Sequence, residues 1–210
     1  MFKSIQWKLV SIYILLILLA MEVVGAYLVQ SLEKYHVENL VQNLDNQAQL
    51  ISGFTERYFY PIPRRQEIEN LIQGFANPDI SDIVILDESG RVIFSTDEDR
   101  YSSGTKLLTP EITQATFGSN FNDIRQDVQS NERYMYLAHP VKSEDKVIGI
   151  IYLIASMEKI YDTLGNIKTI VLMATVMALI VTGFLSFALS KTITGPIQEV
   201  TKKAALMAQG

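Results

Sequence analysis

Two apolar stretches, 9–29 and 167–189, bracket everything else in this 210-residue chain. A helix of about 20 residues crosses a hydrocarbon core of roughly 30 Å, and each stretch is long enough to do so. The 137 residues between them, 30–166, are polar-patterned and belong outside lipid. The chain is therefore predicted to be a two-pass membrane protein carrying one substantial domain. A cleaved signal peptide is the alternative for the first stretch. Its apolar run is longer than such a segment needs, and the second span would then require a different topology.

Charge orients the spans. Lys3 and Lys8 precede the first, while Lys191, Lys202 and Lys203 lie beyond the second. Basic residues near span ends stay cytoplasmic, so 1–8 and 190–210 are expected inside and the domain outside. Positions 33–162 hold 12 Lys/Arg against 21 Asp/Glu, a net of −9, while the whole chain carries −5. No basic face exists to release counterions, which excludes nucleic acid as a partner. The absence of cysteine excludes disulfides, thiolate ligands and a Cys nucleophile. A domain of this length buries a core without such staples.

After the first span, Val37, Val41, Leu44, Ala48, Ile51, Thr55 and Tyr58 alternate at four- and three-residue spacing. That predicts one stripe of a long helix continuing out of the membrane. The stripe either packs on its own domain or forms a parallel dimer seam, and both can hold on different faces. Tyr60-Pro61-Ile62-Pro63 should end the helix. A second helix is expected over 65–75, with Ile68, Leu71, Ile72 and Phe75 inward. Strands are predicted at 80–86 and 91–95 around an Asp87–Gly90 turn, then at 121–128, 133–141 and 147–156. Between them, Thr109-Pro110-Glu111 has the form of an N-cap, a first-position proline and a dipole-favourable acid, closed by Gly118. Helix, helix, strand, strand, helix and three strands make an α+β domain: an antiparallel five-stranded sheet with helices to one side. Ser156 is expected to cap a last helix, with Met157, Ile160, Tyr161, Leu164 and Ile167 on one side, running into the second span without a linker.

The spans carry their own signals. Ala174, Ala178, Thr182, Ser186 and Ser190 recur every four residues and let another helix approach closely. Glu22 lies about seven residues, roughly 10 Å, inside the outer boundary, at the depth of Thr175. It is expected to bond to Thr175, within the chain or across a dimer, or to snorkel outward.

Beyond the second span, Ile193-Thr194-Gly195-Pro196-Ile197, the heptad-spaced Val200, Ala204 and Met207, and Ala208-Gln209-Gly210 resemble the first helix of a HAMP domain. The proline is expected to restart that helix after a short break, and Gly195 departs from the more usual charged residue. With this, the chain resembles the amino-terminal half of a sensor histidine kinase of the WalK (YycG, VicK) family. The residues that carry the likeness are Lys3, Trp7 and Lys8, the Asp87-Glu88-Ser89-Gly90-Arg91-Val92 turn, Thr109-Pro110-Glu111-Ile112, Ala138-His139-Pro140-Val141, and Gly149-Ile150-Ile151-Tyr152 before Ala155-Ser156-Met157-Glu158. The resemblance implies an extracellular PAS/Cache-like domain, a homodimer and a role in cell-wall homeostasis in a bacterial membrane. It also implies a kinase core beyond Gly210 that uses ATP and Mg²⁺, autophosphorylates on histidine and serves an OmpR-type response regulator.

This segment has no means of doing that chemistry. Neither His36 nor His139 opens a His-Glu-x-x-x-Pro run, and there is no Gly-rich nucleotide loop, no Gly-x-Ser-x-Gly elbow and no metal-ligand spacing. No catalytic residue, cofactor or metal is assigned to it. His139 is expected to be a satisfied structural or surface histidine, and Asp97-Glu98-Asp99 a solvated acidic loop rather than a cation site. The family resemblance puts a small-molecule pocket on the sheet face under the loop and short helix. Tyr101, Arg133, Tyr134 and Tyr136 are the candidates there, their hydroxyls and guanidinium suited to an acid. The plainer alternative is ordinary core aromatics, with a protein partner in the envelope or the spans themselves supplying the stimulus. Signal relay is expected through Glu22, Thr175, Ala174, Ala178, Thr182, Ser186, Pro196, Ile197 and Val200. The alternatives are the input half of a chemoreceptor or cyclase, distinguishable by the output domain beyond Gly210, and a small non-catalytic membrane protein complete at that residue.

Overall fold

The computed structural model describes residues 2–59, 64–75, 79–127 and 131–207, with side chains from residue 10 to residue 188 except 187. The chain divides into two units. Lys34–Asp162 form one, and Met1–Glu33 with Thr163–Gly210 form the other. In order, the elements are α1 (Phe2–Phe59), α2 (Arg65–Ile72), a 3₁₀ turn (Gln73–Phe75), β1 (Asp82–Asp87), β2 (Val92–Ser95), α3 (Pro110–Thr116), β3 (Phe121–Gln126), β4 (Arg133–Ser143), β5 (Lys146–Ser156) and α4 (Glu158–Met207).

The Lys34–Asp162 unit is built on one five-stranded sheet in the order β2-β1-β5-β4-β3. Every neighbouring pair is antiparallel. β5 sits at the centre because Gly149–Ala155 is buried on both faces. That two-sided burial corrects one expectation: the helices do not lie to one side. Leu44, Ala48, Ile51 and Phe59 of α1, with Ile68 and Ile72 of α2, cover one face over Ile85, Leu137, Ile151 and Leu153. Ile112 and Ala115 of α3 cover the other, over Val84, Ala138, Ile150 and Tyr152. A sheet apolar on both faces needs a layer on each.

The stripe on α1 packs on its own domain. Leu44, Ala48, Ile51 and Thr55 are buried, while Val37, Val41 and Tyr58 are packed against the same core. The Thr55 hydroxyl donates to the Ile51 carbonyl at 2.7 Å. The proposed stop at Tyr60–Pro63 lies outside the described residues.

Turn chemistry closes the hairpins. Asp87 Oδ1 accepts from the Ser89 and Arg91 amides at 2.8 and 2.9 Å, and Gly90 takes φ +82°. Glu144 and Asp145 both take positive φ, 49° and 66°, as the tight β4–β5 hairpin demands. Ser156 Oγ accepts from the Glu158 amide at 3.2 Å and starts α4. Thr109 stands at the N-cap of α3 and Pro110 follows it as predicted, but without a side-chain capping bond. Its backbone is extended, but its hydroxyl bonds nothing, and Thr113 takes the Thr109 carbonyl instead. Nor does α4 break before Pro196. It continues to Met207, since a long helix absorbs one lost i→i−4 bond as a bend. The side chains of Ser190, Pro196, Ile197 and Val200 lie outside the described residues.

The second unit holds two helical segments long and apolar enough to cross a membrane. They pass closely at Gly25, where an added Cβ would stand 2.8 Å from Val171 Cγ1. A groove of about 650 Å³ beside this crossing is lined by Glu22, Gly25 and Thr175, among others. A second hollow, on α4, is lined by Ala174, Ala178 and Thr182 with Met173 and Met177.

Candidate sensing site on the sheet face under α3

Strand alternation decides which side chains meet. Successive residues point to opposite faces, and the antiparallel register sets Asp123 opposite Tyr136, Arg125 opposite Tyr134, Ala138 opposite Tyr152 and Ile154 opposite Asp82. These polar residues fall on the face that α3 covers. Arg100 and Tyr101 join them from the loop after β2, and Glu111 from the inner side of α3.

The result is a tyrosine stack braced by arginines. Tyr136 and Tyr152 stack with centroids 6.0 Å apart and planes at 21°, and Tyr101 meets Tyr152 edge-on at 6.3 Å. Tyr134 lies 6.5 Å from Tyr136. The Arg125 guanidinium sits 4.4 Å from the Tyr136 ring centre, and Arg100 lies 5.6 Å from both Tyr101 and Tyr134. Glu111 is completely buried. Its Oε1 accepts from the Tyr152 hydroxyl at 2.7 Å and from Arg125, while Oε2 has no hydrogen-bond partner among the described residues. Arg100 pairs with Asp127, and Arg125 Nε lies 3.5 Å from Asp123.

Burial governs the protonation of the site. It pushes the Tyr101 phenol up to about 12. Tyr152 rises further, through burial and through donating to the Glu111 carboxylate. Asp82 is raised by burial and by its neighbour Asp97, against the pull of Arg100. Burial by itself would lower Arg100 and Arg125. Their neighbours, Tyr101 and Tyr136 around one and Glu111 and Tyr152 around the other, more than reverse it.

Of the four residues proposed from the sequence, Tyr101, Tyr134 and Tyr136 meet here. Arg133 does not, because it alternates to the opposite face and lies over the Tyr161 ring at 4.8 Å. Arg100 and Arg125 supply the guanidinium groups instead. The sequence reasoning missed Glu111, which has the appearance of an exposed first-turn acid, and Tyr152. A lone phenol in an isoleucine-rich strand was the available signal for the latter.

The other candidates stand apart. His139 Nδ1 lies 3.1 Å from Asp45 Oδ1, which also accepts from Asn120 at 2.8 Å. His36 meets the Tyr35 ring edge-on. Asp97 Oδ1 accepts from the Arg100 amide, and Glu98 pairs with Arg65. Among the described residues no group of three or more His, Asp or Glu side chains is placed to hold a metal ion. In the span unit, Thr175 donates to the Val171 carbonyl at 2.8 Å within the groove it shares with Glu22. Ala174, Ala178 and Thr182 line the separate hollow on α4, and Ser186 is buried.

Residues 67–155 match the family described as the WalK sensor protein kinase Cache domain. Over 217 aligned residues the chain is 30% identical to the sensor histidine kinase WalK of Bacillus subtilis, covering 100% of this chain and 36% of that protein. The sensor protein kinase WalK of Staphylococcus aureus is 28% identical over 99% of this chain and 36% of its own length. The chain thus spans 36% of the length of these relatives. Among solved structures, the ligand-binding domain of the Campylobacter jejuni chemoreceptor Tlp3, in complex with 4-methylisoleucine, superposes with a TM-score of 0.50 at 10% identity. It covers 72% of this chain and 63% of that one. That likeness is one of fold.

Proposed function

We propose that this chain, an amino-terminal sensor segment of the WalK type, collects a signal in its Cache domain and relays it mechanically along α1 and α4 to a histidine kinase core. The observation that carries this reading is the continuity of α1. One unbroken helix, Phe2–Phe59, contains both an apolar segment long enough to span a bilayer and the stripe that lies in the sheet's core. A shift of the sheet against Leu44, Ala48 and Ile51 has no loop in which to dissipate.

The rest of the reading rests on charge and resemblance. The lysines at both ends favour termini in the cytoplasm and the domain outside a bacterial membrane, with segments 1–8, 9–29, 30–166, 167–189 and 190–210 in the roles expected of them. Two copies are proposed to pair, with Glu22, Gly25 and Thr175 or the Ala174, Ala178 and Thr182 hollow at the seam. A HAMP helix carrying Pro196, Ile197 and Val200 hands the change to the core. Phosphotransfer with ATP and Mg²⁺, delivery to an OmpR-type regulator and a link to cell-wall homeostasis are proposed for the remainder of such a kinase. The stimulus acts at the face of Tyr101, Tyr134 and Tyr136. It biases output only through differential affinity for two states, about 1.4 kcal/mol for a tenfold change.

The test is to fuse the chain to a kinase core of measurable output and insert four glycines between Glu33 and Lys34. Stimulus-dependent output should fall at least tenfold while the domain still folds. A response of undiminished size would sink the mechanical relay.

A further inference from the structure

We propose that the face under α3 takes a small organic cation, an alkylammonium or guanidinium group, and that Arg125 occupies its seat until such a cation arrives. The proposal rests on the reading of this face as the input site, and it names the ligand class.

The seat has an acid beneath it and aromatic rings around it. Glu111 is fully buried, and one of its carboxylate oxygens has no hydrogen-bond partner among the described residues. The Tyr136 ring, stacked on Tyr152, which Tyr101 meets edge-on, offers its face beside that carboxylate. An acid next to stacked phenol faces attracts an organic cation electrostatically from two directions. Arg125 meets both conditions now, paired with Glu111 and 4.4 Å from the Tyr136 ring centre.

Both guanidinium groups of the site are already committed, Arg100 to Asp127 and Arg125 to Glu111. Arg125 Nε, a buried donor with no hydrogen bond, leaves with its guanidinium, so what remains in the seat is acceptor oxygen and ring face, which selects a cation over the acid that the sequence alone suggested. Arg125 is also the member able to leave. It stands on edge strand β3, its side chain is 37% exposed, and Asp123, 43% exposed and 3.5 Å from Nε, offers a second carboxylate. A ligand cation needs no cavity prepared in advance, since it takes the volume the guanidinium vacates. The exchange trades a link between α3 and β3 for a link between α3 and ligand, and so frees the sheet edge.

Chemical rescue tests this on the full chain in lipid nanodiscs. Arg125→Ala should melt below the wild type. About 10 mM methylguanidinium or ethylammonium should raise its melting temperature by about 2–4 °C, and sodium acetate at equal ionic strength should not. The wild type should respond less at the same concentration, because Arg125 competes. Adding Glu111→Gln to Arg125→Ala should abolish the response. A folded Arg125→Ala protein that ignores both cations, or answers acetate equally, overturns the proposal; so does a cation response that survives Glu111→Gln. If Arg125→Ala fails to fold, Arg125→Gln is read by the same criteria. Rescue is scored without signalling output. Its failure leaves the relay standing, whereas failure of the glycine insertion beside a successful rescue removes the relay and keeps the seat.

Discussion

Asp82 shows how one residue sets a pH dependence. Its carboxyl is buried beside Asp97, so the folded state holds its proton above the ordinary carboxylate range. The native chain therefore binds more protons than the unfolded chain as pH rises from the ordinary value to the raised one. Stability falls across that window, and the full penalty applies above the raised value. Asp82→Asn should accordingly raise the melting temperature at neutral pH, with the gain shrinking as the solution is acidified below pH ~4. Calorimetric melts at the two pH values measure it, and an equal gain at both would refute the raised carboxyl. Glu111 contrasts with this. It is buried deeper but compensated by Arg125 and the Tyr152 hydroxyl. Removing a partner from such a group costs more than removing the group with its partner.

Among the elements, the docking of α1 on the sheet depends on one missing side chain. Phe59, the last residue of α1, lies directly over Gly149 of β5, where a Cβ would enter its ring. Gly149→Ala must displace either the helix end or the central strand. It should cost about 1–3 kcal/mol, read from the midpoint of urea unfolding. The stripe that α1 buries was legible from four- and three-residue spacing alone, and all five strands were legible from short apolar or alternating runs bounded by turn residues. The side of the sheet taken by α3 was not. That choice depends on β5 being apolar on both faces, and an uninterrupted apolar run names no single face to cover.

For the whole molecule, the sharpest prediction concerns sidedness. The lysines beyond both apolar segments predict that the middle of the chain lies outside and its ends inside, and the net −9 of positions 33–162 is compatible with that export. A periplasm- or surface-active reporter fused after Arg100 should be active, and a cytoplasm-active reporter fused after Ala205 should be active in the same host. The reverse pattern would invert the direction of the proposed relay.

By itself the sequence determined two apolar segments long enough to span a bilayer, the order and kind of elements, the hairpin turns and the likeness to the WalK family. Hydropathy, periodicity and turn chemistry act between near neighbours, so a reader of the chain can see them. Only the tertiary structure decided the chemistry under α3. Glu111 meets Arg125 across 14 positions and Tyr152 across 41, through strand register and the placing of one short helix. It likewise sent Arg133 to the far face, since a shift of one residue along a strand reverses the side on which a side chain stands.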